Sequence, residues 1–218
     1  MKARPDLQVF KPHHDLAQTL LRHVQPLPSD TAHDVSHLLR VWQNVRRIQS
    51  AEGGNLQVLV AATMLHDCVH VPKDSPDRSV ASRKSAHHAS QVLRNMAWPD
   101  ELVSSVAHAI EAHSFSAKLQ PTTLEARILQ DADRLDALGH IGIARCFAVS
   151  GSMGRPLYDP LDPAAHRRPL NDTAFALDHF STKLLKLSEG FQTSAGRKLA
   201  AKRHAVVQAF LTGILDEL

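Results

Sequence analysis

The sequence predicts an all-α protein, and three observations carry that prediction. Apolar residues recur mostly at helical spacing along the chain. No run of alternating apolar and polar residues bounded by hairpin turns breaks the pattern. Aromatic residues make up 5% of the sequence, so the core must come from Leu, Val, Ile and Ala, which suits packed helices better than a β-sandwich.

The periodicity places helices at roughly 14–24, 33–50, 55–66, 84–96, 99–113, 122–138, 139–149, 173–186 and 194–216. Asp34 suits a cap at the start of the second, and Gly53-Gly54 ends it. The third carries the longest apolar stretch, Val58 to Leu65, which should be buried on nearly all sides. An irregular segment with Pro72 and Pro76 follows, from Val69 to Arg83. Pro99 suits a first helical position, and Pro121 just precedes the helix that contains Asp133. A second irregular segment, Gly151 to Asp172, contains Pro156, Pro160, Pro163 and Pro169, and its length points either to a functional lid or to disorder. The simplest organisation is one domain over 1–218. Its core spans about 15–150, with the loop 151–172 and helices 173–216 as a C-terminal extension.

Composition narrows the function. Hydrophobic residues at 43% and charged residues at 22% are ordinary for a folded domain. A net charge of +3 suits small anionic substrates, and no Lys/Arg stripe with interleaved aromatics marks a nucleic-acid surface. The N-terminal stretch lacks an apolar signal core, and the Val58–Leu65 run is too short to span a bilayer, so a soluble cytoplasmic protein without a membrane partner is expected. Cys68 and Cys146 are then two buried thiols in a reducing compartment.

Three patches place His and Asp in or at the end of apolar helices: His33-Asp34-Val35-Ser36-His37, Met64-Leu65-His66-Asp67, and Asp131-Ala132-Asp133-Arg134-Leu135-Asp136. Such residues seldom belong there unless something satisfies them. For His66-Asp67 a divalent cation and a solvated helix end explain the pattern equally well. His37 shares a face with Val41 and can reach the inside of a bundle; His33, one turn earlier, is its rival, with a supporting role favoured. Asp133 should lie at the core's edge, where either a metal or surface pairing with Arg127 or Arg134 satisfies it, and the surface reading suits Asp131 better.

The order H…HD…D of His37, His66-Asp67 and Asp133 resembles the HD superfamily of metal-dependent phosphohydrolases. The strings HDVSHLLRVW, AHSFSAK, LEARILQDADRLDALGHIGIARCFAVSG and LDHFSTKLLKL resemble a bacterial branch that includes nucleoside triphosphate pyrophosphohydrolases. The likeness runs from about Ala32 to His204. It implies an HD-type helical bundle with additional C-terminal helices, and His37, His66, Asp67 and Asp133 as ligands of a divalent ion. Some members place an acid shortly after the HD pair. Asp74 is the nearby acid here, so the general base is unassigned. Some members add histidines that hold a second ion; one ion is preferred, with His113 as a substrate contact or proton carrier.

Two imidazoles and two carboxylates suit Mn, Fe, Co, Ni or Zn better than Mg, which prefers an all-oxygen set. Asp67 then both ligates the ion and orients the attacking water. Lys73, Arg78 and Arg83 are candidates for phosphate, with Lys73 nearest in sequence to the ligands, and Asp136 shares the face of Asp133 as a further substrate contact. Arg155, Arg167 and Arg168 on the second irregular segment are more distant options. The reaction expected is hydrolysis of a small nucleotide, a (d)NTP giving NMP and pyrophosphate. A phosphomonoesterase and a non-catalytic metal or nucleotide sensor are the alternatives. The oligomeric state is open, a homodimer included.

Overall fold

The structure, a computed structural model, describes residues 7–24, 35–71, 79–114 and 117–218. Among the described residues there are nine α-helices and no strand, in keeping with the all-α expectation. The chain forms two compact units, Met1–Asp133 and Arg134–Leu218.

The first unit contains α1 (His14–Leu21), α2 (Val35–Glu52), α3 (Leu56–Leu65), α4 (Ala81–Asn95), α5 (Asp100–His113) and most of α6 (Leu124–Asp136). Its centre is α3. Val58 to Leu65 are all buried, as a helix that is apolar on every side must be. Helices α1, α2, α4 and α5 pack against it. Asn55 starts α3 by accepting the Gln57 and Val58 N–H groups at 3.0 and 3.3 Å. Helix α2 buries Leu38, Val41, Trp42, Val45 and Ile48 as one stripe, and His37 lies on that face. It stops where Gly53 and Gly54 take φ of +83° and +99°, a turn that side chains with a Cβ resist. Helix α5 begins at Asp100, with Pro99 as the last extended residue before it rather than the first helical one.

In the second unit, α7 (Gly139–Ser152), α8 (Asp178–Thr182), a 3-10 segment (Leu184–Gly190) and α9 (Ser194–Asp216) enclose a cluster of Phe147, Phe180 and Phe210, with ring centroids 5.7–5.8 Å apart. At Gly142 an added Cβ would stand 2.2 Å from the Ala137 carbonyl oxygen, so the entry into α7 requires glycine.

Several sequence expectations change. Helix α4 starts at Ala81, inside the segment read as irregular. The helix expected over 173–186 is reduced to Asp178–Thr182 followed by 3-10 turns. The cause is Asn171, whose side-chain oxygen accepts the Thr173 and Ala174 N–H groups at 3.1 and 3.2 Å and so offers the backbone an alternative to a helical turn. The segment 151–172 is not disordered. Arg168 donates to both oxygens of buried Asp178 at 2.6 and 2.9 Å, the Asn171 N–H reaches Asp178 at 2.6 Å, and Arg155 donates to the Asp172 carbonyl at 3.0 Å. This network ties the segment to α8 and occupies two of the arginines held in reserve for phosphate. Asp131, read as a surface residue, is fully buried. Arg127 and Arg134 bond the carbonyls of Pro121 and Gly190. His33 and Asp34 lie outside the described residues.

Candidate metal centre

Three segments of the first unit bring the chemistry together. His37 comes from the first turn of α2, His66 and Asp67 from the turn that ends α3, and Asp133 from α6. His37 Nε2 lies 3.2 Å from His66 Nε2 and 3.5 Å from Asp133 Oδ1. His66 Nε2 lies 3.9 Å from Asp133 Oδ1 and 3.7 Å from Asp67 Oδ2. His113, the last residue of α5, brings its Nε2 to 3.7 Å from Asp67 Oδ1. The donors form two overlapping groups, His37–His66–Asp133 and His66–Asp67–His113, each with all atoms within 4.8 Å of one another.

Helix ends set the tautomers. The last four carbonyls of a helix lack intrahelical donors. In α3 one of them, Thr63, accepts His66 Nδ1–H at 2.8 Å; in α5 another, Ile110, accepts His113 Nδ1–H at 2.6 Å. A carbonyl only accepts, so in both rings Nδ1 carries a proton and Nε2 is the nitrogen turned toward the cluster. Burial pushes the His66 pKa below its ordinary value, and the opposing pull of Asp67 and Asp133 does not reverse this. His66 is therefore a neutral lone-pair donor at pH 7, held in orientation by its backbone partner.

This arrangement tests whether a cation fits. Imidazole Nε2 atoms and carboxylate oxygens face one another across 3.5–3.9 Å. Two imidazole nitrogens and a carboxylate oxygen within 4.8 Å of one another in each group are a donor set suited to a cation. Ligands about 2.0–2.2 Å from one ion stand about 3.0–3.5 Å apart when adjacent and about 4.2 Å when opposite. Two of the observed separations, 3.2 and 3.5 Å, match adjacent ligands, and the others, 3.7–3.9 Å, lie between the adjacent and opposite values. The residues fit a divalent ion.

Of the remaining candidates, Lys73 and Arg78 lie outside the described residues. Arg83 is exposed and pairs with Glu111 at 3.0 Å. Asp136, in the second unit, is buried and accepts Arg145 Nη1 at 2.5 Å. His108 accepts the Thr122 N–H at 3.0 Å and so supports the start of α6. The sequence reading passed over Asn44 and Gln130, two buried amides that bond the backbone beside the site residues. The available signal was Asn44 standing two turns after His37 in an otherwise apolar stripe.

A helical domain with this mixed imidazole and carboxylate cluster defines the class of divalent-metal hydrolases. Comparison with known proteins agrees. The HD domain family matches residues 34–138. The uncharacterized protein YpgQ of Bacillus subtilis is 32% identical over 201 residues, covering 89% of this chain and 90% of that protein. The crystal structure of YpgQ in complex with ADP superimposes with a TM-score of 0.71 at 29% identity over 93% of this chain and 97% of that one. An HD-superfamily hydrolase from Bacillus thuringiensis gives 0.69 at 31% identity, over 93% and 96%. The chain belongs to the HD superfamily of metal-dependent phosphohydrolases. Among the described residues no helix is long and apolar enough to cross a membrane.

Proposed function

We propose that this phosphohydrolase acts on a nucleotide, cleaving a (d)NTP to NMP and pyrophosphate, with His37, His66, Asp67 and Asp133 as the ligands of one transition-metal ion. The observation that carries the reading is that those four side chains, from three segments, join His113 in two donor groups that overlap at His66. The ADP bound by YpgQ supports a nucleotide over other phosphate esters. One ion suffices, because both donor groups share His66 and its Nδ1 is committed to Thr63, which leaves a single lone pair to give. The donor set favours Mn, Fe, Co, Ni or Zn over Mg.

A bound ion would supply Lewis-acid polarisation of a phosphoryl oxygen and a water of lowered pKa. The chain's own groups do the rest. Asp67 turns Oδ2 toward His66 and Oδ1 toward His113, so it can ligate with one oxygen and orient the attacking water with the other. His113, its Nδ1–H fixed on Ile110, offers Nε2 as the proton carrier. In the reaction the water oxygen bonds the α-phosphorus and the bond from it to the bridging oxygen breaks. The water's proton passes to Asp67 or His113 and then to the departing pyrophosphate. Lys73, Arg78 and Arg83 are the cations assigned to the phosphates in this reading, Lys73 first, and Lys73→Ala should lower catalytic efficiency.

The test is a panel of nucleoside mono-, di- and triphosphates against Mn, Co, Ni, Mg and Zn, with orthophosphate and pyrophosphate measured separately and Asp67→Ala as control. Pyrophosphate from triphosphates, absent in the variant, is the expected result. Orthophosphate from monophosphates alone would replace the reading with a phosphomonoesterase, and flat turnover everywhere with a sensor.

A further inference from the structure

We infer that Asn44 and Gln130 are positioning residues that set the relative heights of α2, α6 and α5, and so decide whether His37 and Asp133 meet and whether His113 reaches Asp67. The inference rests on the metal-hydrolase reading of the site. Asn44 Nδ2 donates to the Ala132 carbonyl at 3.0 Å, and Gln130 Nε2 donates to the Ala112 carbonyl at 2.7 Å. Ala132 immediately precedes Asp133, and Ala112 immediately precedes His113. The two amides therefore staple α2 to α6 and α6 to α5, each within one residue of a group at the centre.

Helix register is what apolar packing specifies least. Neighbouring helices of Leu, Val and Ala can slide, and one residue of slippage moves a side chain about 1.5 Å along the axis, comparable to the separation between a ligand and a bystander. A directional bond between a side-chain amide and a backbone carbonyl removes that freedom. Both amides are almost completely buried. In Asn44 the polar group interrupts the stripe formed by Val41, Trp42, Val45 and Ile48, where an apolar residue would be the cheaper choice for stability alone. Gln130 goes further: its Oε1 is buried without a hydrogen-bond partner, a cost carried by a residue whose Nε2 has a defined target. The accepting carbonyl of Ala112 lies in the last turn of α5, where helical donors run out.

The test compares Asn44→Leu and Gln130→Leu with Trp42→Phe, which removes another side-chain bond of α2, the part-buried one from Trp42 Nε1 to the Val9 carbonyl at 2.8 Å, away from the ligands. Metal-free protein is titrated with Co(II) followed by visible absorption, and kcat and KM are measured on the nucleotide cleaved by wild type. Asn44→Leu should weaken Co(II) binding by about 10–100-fold. Gln130→Leu should lower kcat by about tenfold at constant KM, without lowering Tm below wild type. Trp42→Phe should change neither Co(II) affinity nor kcat. Should Asn44→Leu fail to fold, Asn44→Asp, which keeps the volume and turns the donor into an acceptor, should show the same loss of affinity. If the amide variants match Trp42→Phe in Co(II) affinity and kcat, the inference is wrong while the hydrolase reading stands. If wild type binds no Co(II), the hydrolase reading falls and takes the inference with it.

Discussion

Two groups of carboxylates, one in each unit, are built on opposite electrostatic plans. In the second unit, Asp178 meets Arg168 and Asp136 meets Arg145, so each buried anion has a guanidinium within 2.6 Å. In the first unit, Asp67 and Asp133 meet imidazoles at 3.5–3.9 Å, and two of those rings, His66 and His113, donate Nδ1–H to a backbone carbonyl and turn Nε2 toward the carboxylates. The first plan neutralises charge with the chain's own cations and fixes a segment in place. The second leaves partly exposed carboxylates beside imidazole nitrogens, a donor set suited to a cation from outside. The contrast separates carboxylates kept for folding from carboxylates kept for chemistry.

Neutralising one carboxylate in each group breaks the comparison most sharply. Asp133→Asn should reduce turnover on the order of 10³-fold or more while leaving the Tm of metal-free protein unchanged or raised. Asp178→Asn should do the reverse, lowering Tm by roughly 5 °C while the first unit keeps its affinity for metal. A thermal melt and a turnover assay on the two variants decide it. Equal losses of Tm would erase the distinction.

The pH dependence sharpens the same point. For Asp178, burial pushes the carboxyl pKa up, but the Arg168 and Asn171 hydrogen bonds outweigh it and leave it below the ordinary range. For Asp172, the bond from His179 leads the lowering, with Thr182 adding to it. A carboxyl with a depressed folded pKa contributes stability that is present above its unfolded value of about 4 and is lost as pH falls through the folded one. Thermal stability should therefore decline below about pH 4, and Asp178→Asn should show a shallower decline than wild type. An equal slope in both proteins would remove Asp178 from the account.

A smaller effect concerns the thiols, which are buried and free. Burial pushes Cys68 up to about 12 and Cys146 up to about 11. Neither should react with a disulfide reagent in the folded protein at pH 8, and both should react in denaturant. Rapid labelling of Cys68 in the native state would show that the turn after Asp67 opens readily.

The sequence revealed the pattern where chemistry conflicts with burial. Val58 to Leu65 could only be a central helix, and His66-Asp67 at its end stood out for that reason. His37 was readable from its phase with Val41. Less legible were features that depend on which surfaces close over a residue. Asp131 looked like a surface acid because the apolar stripe of Ile128, Ala132 and Leu135 says nothing about what covers the neighbouring face. Asn44 and Gln130 resemble any polar helix residue until the carbonyls they reach are known. The ordering of 151–172 comes from Arg168 and Asp178, ten residues apart, a pairing that composition alone does not announce.

The most direct measurement is metal analysis of purified protein exchanged against Mn(II), read by electron paramagnetic resonance and elemental content, for wild type and for His37→Ala, His66→Ala, Asp67→Ala and Asp133→Ala. The account predicts one ion per chain in wild type and loss of tight binding in every variant. An ion retained at full stoichiometry in the variants, or none in wild type, would contradict it.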